Sequence, residues 1–134
     1  MICKSAIGAF TKAEIARLKE RVSFRVYGKA EKNPVYPYCV ISEGTETPSP
    51  TKHIGKTDNT NVIHLFSKRD SIEELVEMVD AVCNAFDTPL DMAVDGFSEV
   101  ECIPRQRRYD QLYDEGQNIL QHGEIDIEAI IQQL

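Results

Sequence analysis

A chain of 134 residues and 15.2 kDa has the length of one small domain and excludes a multidomain enzyme. Its 15 basic and 22 acidic side chains give a formal charge of -7, which argues against a general cationic surface for nucleic acid. Hydrophobic residues make up 42% and charged residues 28%, a globular rather than a disordered balance, and a chain of this size can bury about two thirds of its extended surface around one core.

No apolar run approaches the roughly 20 residues of a membrane span, and the first residues lack the apolar stretch of a signal peptide, so we expect no membrane association. Cys3, Cys39, Cys83 and Cys102 form no CxxC pair, and Cys39 and Cys83 lie in apolar segments. We expect free thiols in a reducing compartment, with two cross-links as the alternative. Charge is uneven along the chain. Residues 1–34 hold eight basic against three acidic side chains, whereas residues 109–134 hold six acidic and no Lys or Arg. Were the two ends on opposite faces, one copy would present a basic surface to an acidic surface of the next; internal pairing and ordinary solubility are the alternatives.

Taken in chain order, Ile7, Ile15, Leu18 and Val22 recur at helical spacing and predict an amphipathic helix over about 2–21. Thr11 and Glu14 fit a T-x-x-E capping box, which would start or kink it internally. Ser23 to Tyr27 changes to period two and ends at Gly28, as a short strand should. Val35 to Ile41 is rich in aromatic and β-branched residues, with Tyr36, Tyr38 and Val40 on one face and Cys39 and Ile41 on the other. Pro37 places it at a strand start or a sheet edge. From Glu43 to Thr60 the only sizeable apolar side chain is Ile54, among Gly44, Pro48, Pro50 and Gly55. This predicts a long loop or protruding arm.

Asn61 to Ser67 reads as a central strand, with Val62, His64 and Phe66 opposed to Ile63 and Leu65. Ser71 and Glu74 form a second capping box, followed by a stripe of Ile72, Leu75, Val76, Val79, Val82, Cys83 and Phe86 that Asp87-Thr88-Pro89 ends. Leu90 to Val94 predicts a short strand, Phe97 to Ile103 an imperfectly alternating one, and Pro104 to Gly116 a polar turn or loop. At the end, Ile125, Ile127, Ala129 and Ile131 alternate with Glu124, Asp126 and Glu128, which favours a strand over the rival short helix. The fold class is therefore α+β: a small mixed, mainly antiparallel sheet of about four to five strands packed on two amphipathic helices, with a long loop between the second and third strands. The expected core comprises Ile15, Leu18, Val40, Ile63, Leu65, Leu75, Val79, Val82 and Phe86.

Chemistry-bearing patterns are sparse. His53, His64 and His122 form no known motif, and no HExxH, GxSxG, phosphate-binding or EF-hand pattern is present. His64, between Ile63 and Leu65, reads as a structural histidine. Asp70, Glu73, Glu74, Glu77 and Asp80 suit a solvated helix face and its dipole better than paired catalytic carboxylates. Arg105, Arg107 and Arg108 are the one concentrated basic feature after residue 100, too little for sequence-specific nucleic-acid binding in so acidic a chain. We expect no catalytic residue, no cofactor and no metal ligand set; an enzyme would require two of His53, His64, Cys39 and the arginines to converge in a pocket.

The stretches VYPYCVISEG (Val35–Gly44), TxTPSPTK (Thr45–Lys52) and VIHLFSKRDSIEELVEMVDAVCNAF (Val62–Phe86), after a helix carrying Arg17-Leu18, resemble the tail completion or head-to-tail joining proteins of long-tailed phages and prophages, relatives of tail terminators. Phe66 stands where that family often has Trp, and Cys39 where it has a simple hydrophobe. The resemblance implies one α+β domain over residues 1–134. It implies a non-catalytic virion protein, assembled in the host cytoplasm, that caps the head-proximal end of the tail and joins it to the capsid. Its partners would be its own copies in a hexameric ring, the tail-tube protein and the capsid connector or stopper, with the isolated chain a monomer. By the same analogy, contacts fall on Glu43, Glu46, Thr47, Lys52, His53 and Lys56 in the arm, and on Arg105, Arg107, Arg108, Asp114 and Glu115. The alternatives are a binding module of a prophage or host acting through residues 43–60, and a small hydrolytic enzyme.

Overall fold

The computed structural model describes residues 4–48 and 55–134, with the side chain of Glu43 left out. Helix α1 (Ile7–Arg21) leads into β1 (Arg25–Tyr27), β2 (Tyr38–Pro48) and β3 (Lys56–Ser67). Helix α2 (Glu73–Asn84), a single 3-10 turn (Ala93–Asp95), β4 (Phe97–Tyr113) and β5 (Ile119–Gln133) follow. The five strands form one sheet in the order β1-β2-β3-β5-β4, antiparallel except for the parallel β1–β2 pair. This is the α+β architecture that the hydropathy patterns predict.

Both helices pack on one face of the sheet, α1 over β1, β2 and β3 and α2 over β3 and β5. Period-two alternation makes that face: Cys39 and Ile41 from β2, Ile63 and Leu65 from β3, and Ile125, Ile127, Ala129 and Ile131 from β5 are all buried. Leu75, Met78, Val79 and Val82 of α2 close over them, with Phe86 beyond the helix end. Leu18 is buried in this cluster and Ile15 packs half-buried against it, whereas Val40, expected in the core, is buried on the other face of the sheet, in register with His64, because Cys39 and Ile41 hold the inward positions of β2. Gly123 of β5 lies directly beneath α2, where a Cβ would stand 3.2 Å from Leu75 Cδ1 and 3.4 Å from Val79 Cγ2. A side chain there would push the helix off the sheet.

Several expectations are corrected. In α1 the fully buried line is Phe10, Glu14 and Leu18, at i, i+4, i+8, while Ile7 and Val22 are only half-buried. Thr11 caps nothing, because it lies inside the helix and its Oγ1 donates to the Ile7 carbonyl at 2.8 Å. Ser71 does not cap α2 either: the helix starts at Glu73, Ile72 is 46% exposed, and Glu74 instead accepts from Ser67 Oγ and Arg69 Nε. The first strand is shorter than expected, and residues 90–94 hold part of the 3-10 turn rather than a strand.

The expected long loop is mostly hairpin. Strands β2 and β3 stay paired out to Pro48↔Thr57, leaving only a short connection, and a bulge between Ser42 and Gly44 absorbs one residue. The inward positions of outer β3 are Thr57, Asn59 and Asn61, all buried, so no apolar alternation announces the strand. Part of this polarity is satisfied by side chains: Asn59 Nδ2 donates to Thr57 Oγ1, and Asn61 Nδ2 reaches Thr11 Oγ1 and Glu14 Oε1 on α1, whereas Asn59 Oδ1 is buried with no hydrogen-bond partner among the described residues. Residues 104–113 are likewise strand, not loop. Bulges between Glu99 and Glu101 and between Pro104 and Gln106 reset the phase of β4, and Pro104 is tolerated because this is an edge strand.

Each helix also borrows a charge. No acidic residue lies in the first turn of α1, and Glu46 of β2 fills that place, accepting from the Ala6 N–H at 3.0 Å and from Ser5 Oγ. No basic residue lies in the last turn of α2, and Arg17 of α1 fills that one, donating to the carbonyls of Ala85, Thr88 and Pro89 at 2.8–3.0 Å.

Candidate interaction surface and the open face of the sheet

The expected contact residues fall into two groups. Lys52 and His53 lie outside the described residues. Thr47 is exposed on β2 opposite Asp58, Lys56 is half-buried at the start of β3, and Glu46 is engaged with the start of α1. In the second group the arginines are exposed on β4, and each meets a carboxylate. Arg105 Nε lies 2.7 Å from Glu128, Arg107 2.8 Å from Asp80 on α2, and Arg108 against Glu124. The basic patch is thus locally neutralised, which weakens it further as a phosphate-binding surface. Asp114 accepts from the backbone and side chain of Asn118 across the β4–β5 turn, a contact that holds its carboxyl below the usual range, and Glu115 is exposed in the same turn.

The β4–β5 hairpin also exposes apolar surface near its tip, where Tyr109, Leu112, Tyr113 and Ile119 are between 37% and 66% accessible. The sheet order sets this edge apart from the basic beginning of the chain. Helix α1 and β1 flank one edge, β4 is the other, and acidic β5 lies beside β4. Among the described ion pairs, the N-terminal cations meet the segment after α2, Arg21 with Asp87 and Lys12 with Asp95, and none meets an acid of residues 109–134.

The sheet face away from the helices carries a second feature. Cross-strand registers align Val40, His64, Glu124 and Arg108 in one row across four strands, and Tyr38, Phe66, His122 and Asp110 in the next. Tyr38 stacks on Phe66 and Phe66 on His122, with ring centroids 5.0 and 4.8 Å apart, and the two imidazoles stack nearly parallel. His64 Nδ1 lies 3.0 Å from His122 Nε2, and His122 Nδ1 lies 2.7 Å from Asp110. Lone histidines in the sequence gave no hint of this meeting. The available signal was spacing two, His122-x-Glu124 and Arg108-x-Asp110, which puts each pair on one face of its strand.

Cys39 lies buried on the opposite face, its thiol pushed up to about 12 by burial, so it does not join His64. Elsewhere an open cleft of about 930 Å³ between the end of α1, β1 and α2 is lined by Val22, Phe24, Tyr27, Tyr36, Glu77 and Met78. None of the expected contact residues lines it. Among the described residues, no helix is long and apolar enough to cross a membrane.

No family model matches the sequence, and no curated protein is recognisably similar to it. Solved structures do share the fold. A chain from the virion of a native gene transfer agent particle superposes with a TM-score of 0.72 at 16% identity, covering 96% of this chain and 99% of that one. The gp17 protein of bacteriophage SPP1 superposes with a TM-score of 0.56 at 23% identity, covering 94% and 91%. At these identities the likeness establishes a common fold over nearly the whole length.

Proposed function

We propose that this protein is a structural component of a phage or phage-like virion that caps the head-proximal end of the tail and joins it to the capsid connector. The observation that carries the reading is the near-complete, reciprocal superposition on a chain of an assembled virion particle, together with the fold shared with a bacteriophage protein. The role is one of assembly, not catalysis. Copies of the chain form a ring, a hexamer by the sequence resemblance, in which the basic α1–β1 edge of one subunit faces the β4 edge of the next, beside the acidic turn of Asp114 and Glu115. The β2–β3 arm and the β4–β5 hairpin reach the tail tube and the connector or stopper, and the exposed Tyr109, Leu112 and Tyr113 supply apolar contact area. Charge complementarity of this kind orients partners more than it binds them, which suits a chain that stays monomeric until the head-proximal end of a tail templates it.

The test is assembly. Purified protein added to tails made without it should restore their joining to DNA-filled heads, and electron microscopy should show added density at the head-proximal end. Normal virions from a strain lacking the gene, with no binding to tails or to connector complexes, would overturn the reading.

A further inference from the structure

We propose that the open face of the sheet holds a zinc-class divalent cation, bound by His64 Nδ1, His122 Nε2 and a carboxylate oxygen of Glu124. The three ligand atoms lie within 4.8 Å of one another. His64 Nδ1 is 3.0 Å from His122 Nε2, and Glu124 Oε1 is 3.8 Å from the first and 3.9 Å from the second. A tetrahedral ion with bonds of about 2.0–2.1 Å holds its ligands roughly 3.3 Å apart, so the observed triangle brackets the required one without moving the backbone. Two imidazoles and one carboxylate are the donor set of zinc and its neighbours in the transition series, not of magnesium or calcium, which take oxygen.

Groups outside the triangle aim the ligands. Asp110 accepts from His122 Nδ1, which fixes the tautomer and leaves the Nε2 lone pair directed at the cluster. Arg108 holds the other oxygen of Glu124, turning Oε1 toward the imidazoles. Both supports come from β4, directly opposite the ligands they orient. Phe66 stacks on His122 and limits its ring rotation. Side-chain exposures of 16%, 9% and 23% for His64, His122 and Glu124 leave the ligands shielded but reachable, and a cleft of about 340 Å³ lined by Arg108, Tyr109, Asp110 and Glu124 opens beside the carboxylate ligand. Without metal, the short imidazole–imidazole contact needs one hydrogen between its two nitrogens; with metal, that hydrogen moves to Nε2 of His64 and both facing nitrogens become ligands. Three protein ligands leave a fourth position for water or for a donor from a partner.

The experiment uses the full chain, untagged and stripped with chelator, titrated with Co2+ and then Zn2+. We expect the visible absorption bands of four- or five-coordinate Co2+ at one equivalent, their displacement by Zn2+, and a higher thermal midpoint with Zn2+. His122→Ala and Glu124→Gln should abolish the bands. Asp110→Asn, which leaves all three ligands in place, should weaken affinity about 10–100-fold. Circular dichroism of each variant separates loss of metal from loss of fold, and Asp87→Asn, at a carboxylate paired with Arg21 on the helix side of the sheet, serves as the control that leaves the bands unchanged. No Co2+ bands from the unsubstituted chain, or bands that survive His122→Ala in a folded protein, would overturn the proposal.

Discussion

The two faces of the sheet use the same strands to opposite ends. On β3 and β5 the residues beneath the helices, Ile63, Leu65, Ile125, Ile127, Ala129 and Ile131, are fully buried and apolar. Their immediate neighbours, His64, Phe66, His122, Glu124 and Asp126, carry rings and charges to the face away from the helices, which no other described element covers. The covered face secures the packing of the helices, and the uncovered face, whose side chains do not pack against them, has room for chemistry. A β-strand thereby separates two selective demands at single-residue resolution.

Substitutions can break this contrast, beginning where the effect is largest. Val79→Asp puts an unpaired charge on α2 against β5, where Val79 is fully buried, and should cost more than about 4 kcal/mol. Circular dichroism and denaturant melts should show an unfolded chain at room temperature.

Glu14 is the polar exception on the covered side. Burial raises its carboxyl to about 8, the Asn61 amide opposing the shift only in part, and Oε2 is buried without a hydrogen-bond partner. A folded-state value above the unfolded one of about 4.5 means that the unfolded chain ionises first. The contribution of Glu14 is therefore intact below about pH 4.5 and is lost as pH rises toward 8. Glu14→Gln, which mimics the protonated acid, should be the more stable protein at pH 8 by on the order of 3 kcal/mol and equal to the parent near pH 4. Paired denaturant melts across that range read the difference. A constant difference would mean that Glu14 is ionised in the fold.

Gly123→Val tests how closely the covered face is packed, since its Cβ alone would crowd Leu75 and Val79. A loss of about 1–3 kcal/mol is expected, with α2 displaced. At the other extreme, Tyr113→Ser at the exposed hairpin tip should change stability by no more than about 0.5 kcal/mol while reducing addition of the protein to tails, measured by co-sedimentation. If it left assembly untouched, the hairpin tip would not be a contact.

What the sequence revealed follows from the same contrast. Alternation and helical stripes are legible where the inward residues are apolar, so β5, inner β3 and α2 were evident from Ile125 to Ile131, Ile63 and Leu65, and Leu75 to Val82. The reading failed where a buried residue is polar or the period is interrupted. Thr57, Asn59 and Asn61 made a strand look like a loop, and Glu14 concealed that the true line of α1 runs through Phe10 and Leu18. Two bulges scrambled β4, so Arg105 to Tyr113 resembled a polar turn. Of the candidate surfaces, the arginines were visible as a cluster, but their carboxylate partners lie on other elements. The meeting of His64 and His122 depends on a strand register that no local pattern encodes.

The borrowed helix charges make a load path. Glu46 ties the β2–β3 arm to the first turn of α1, and Arg17, nearly three turns along the same helix, ties α1 to the end of α2. Whatever grips the arm from outside competes for a carboxylate that α1 already uses. Pulling it away would fray that first turn and loosen the anchorage of α2 in series, so docking at one end of the molecule would be felt as a change in helix order at the other.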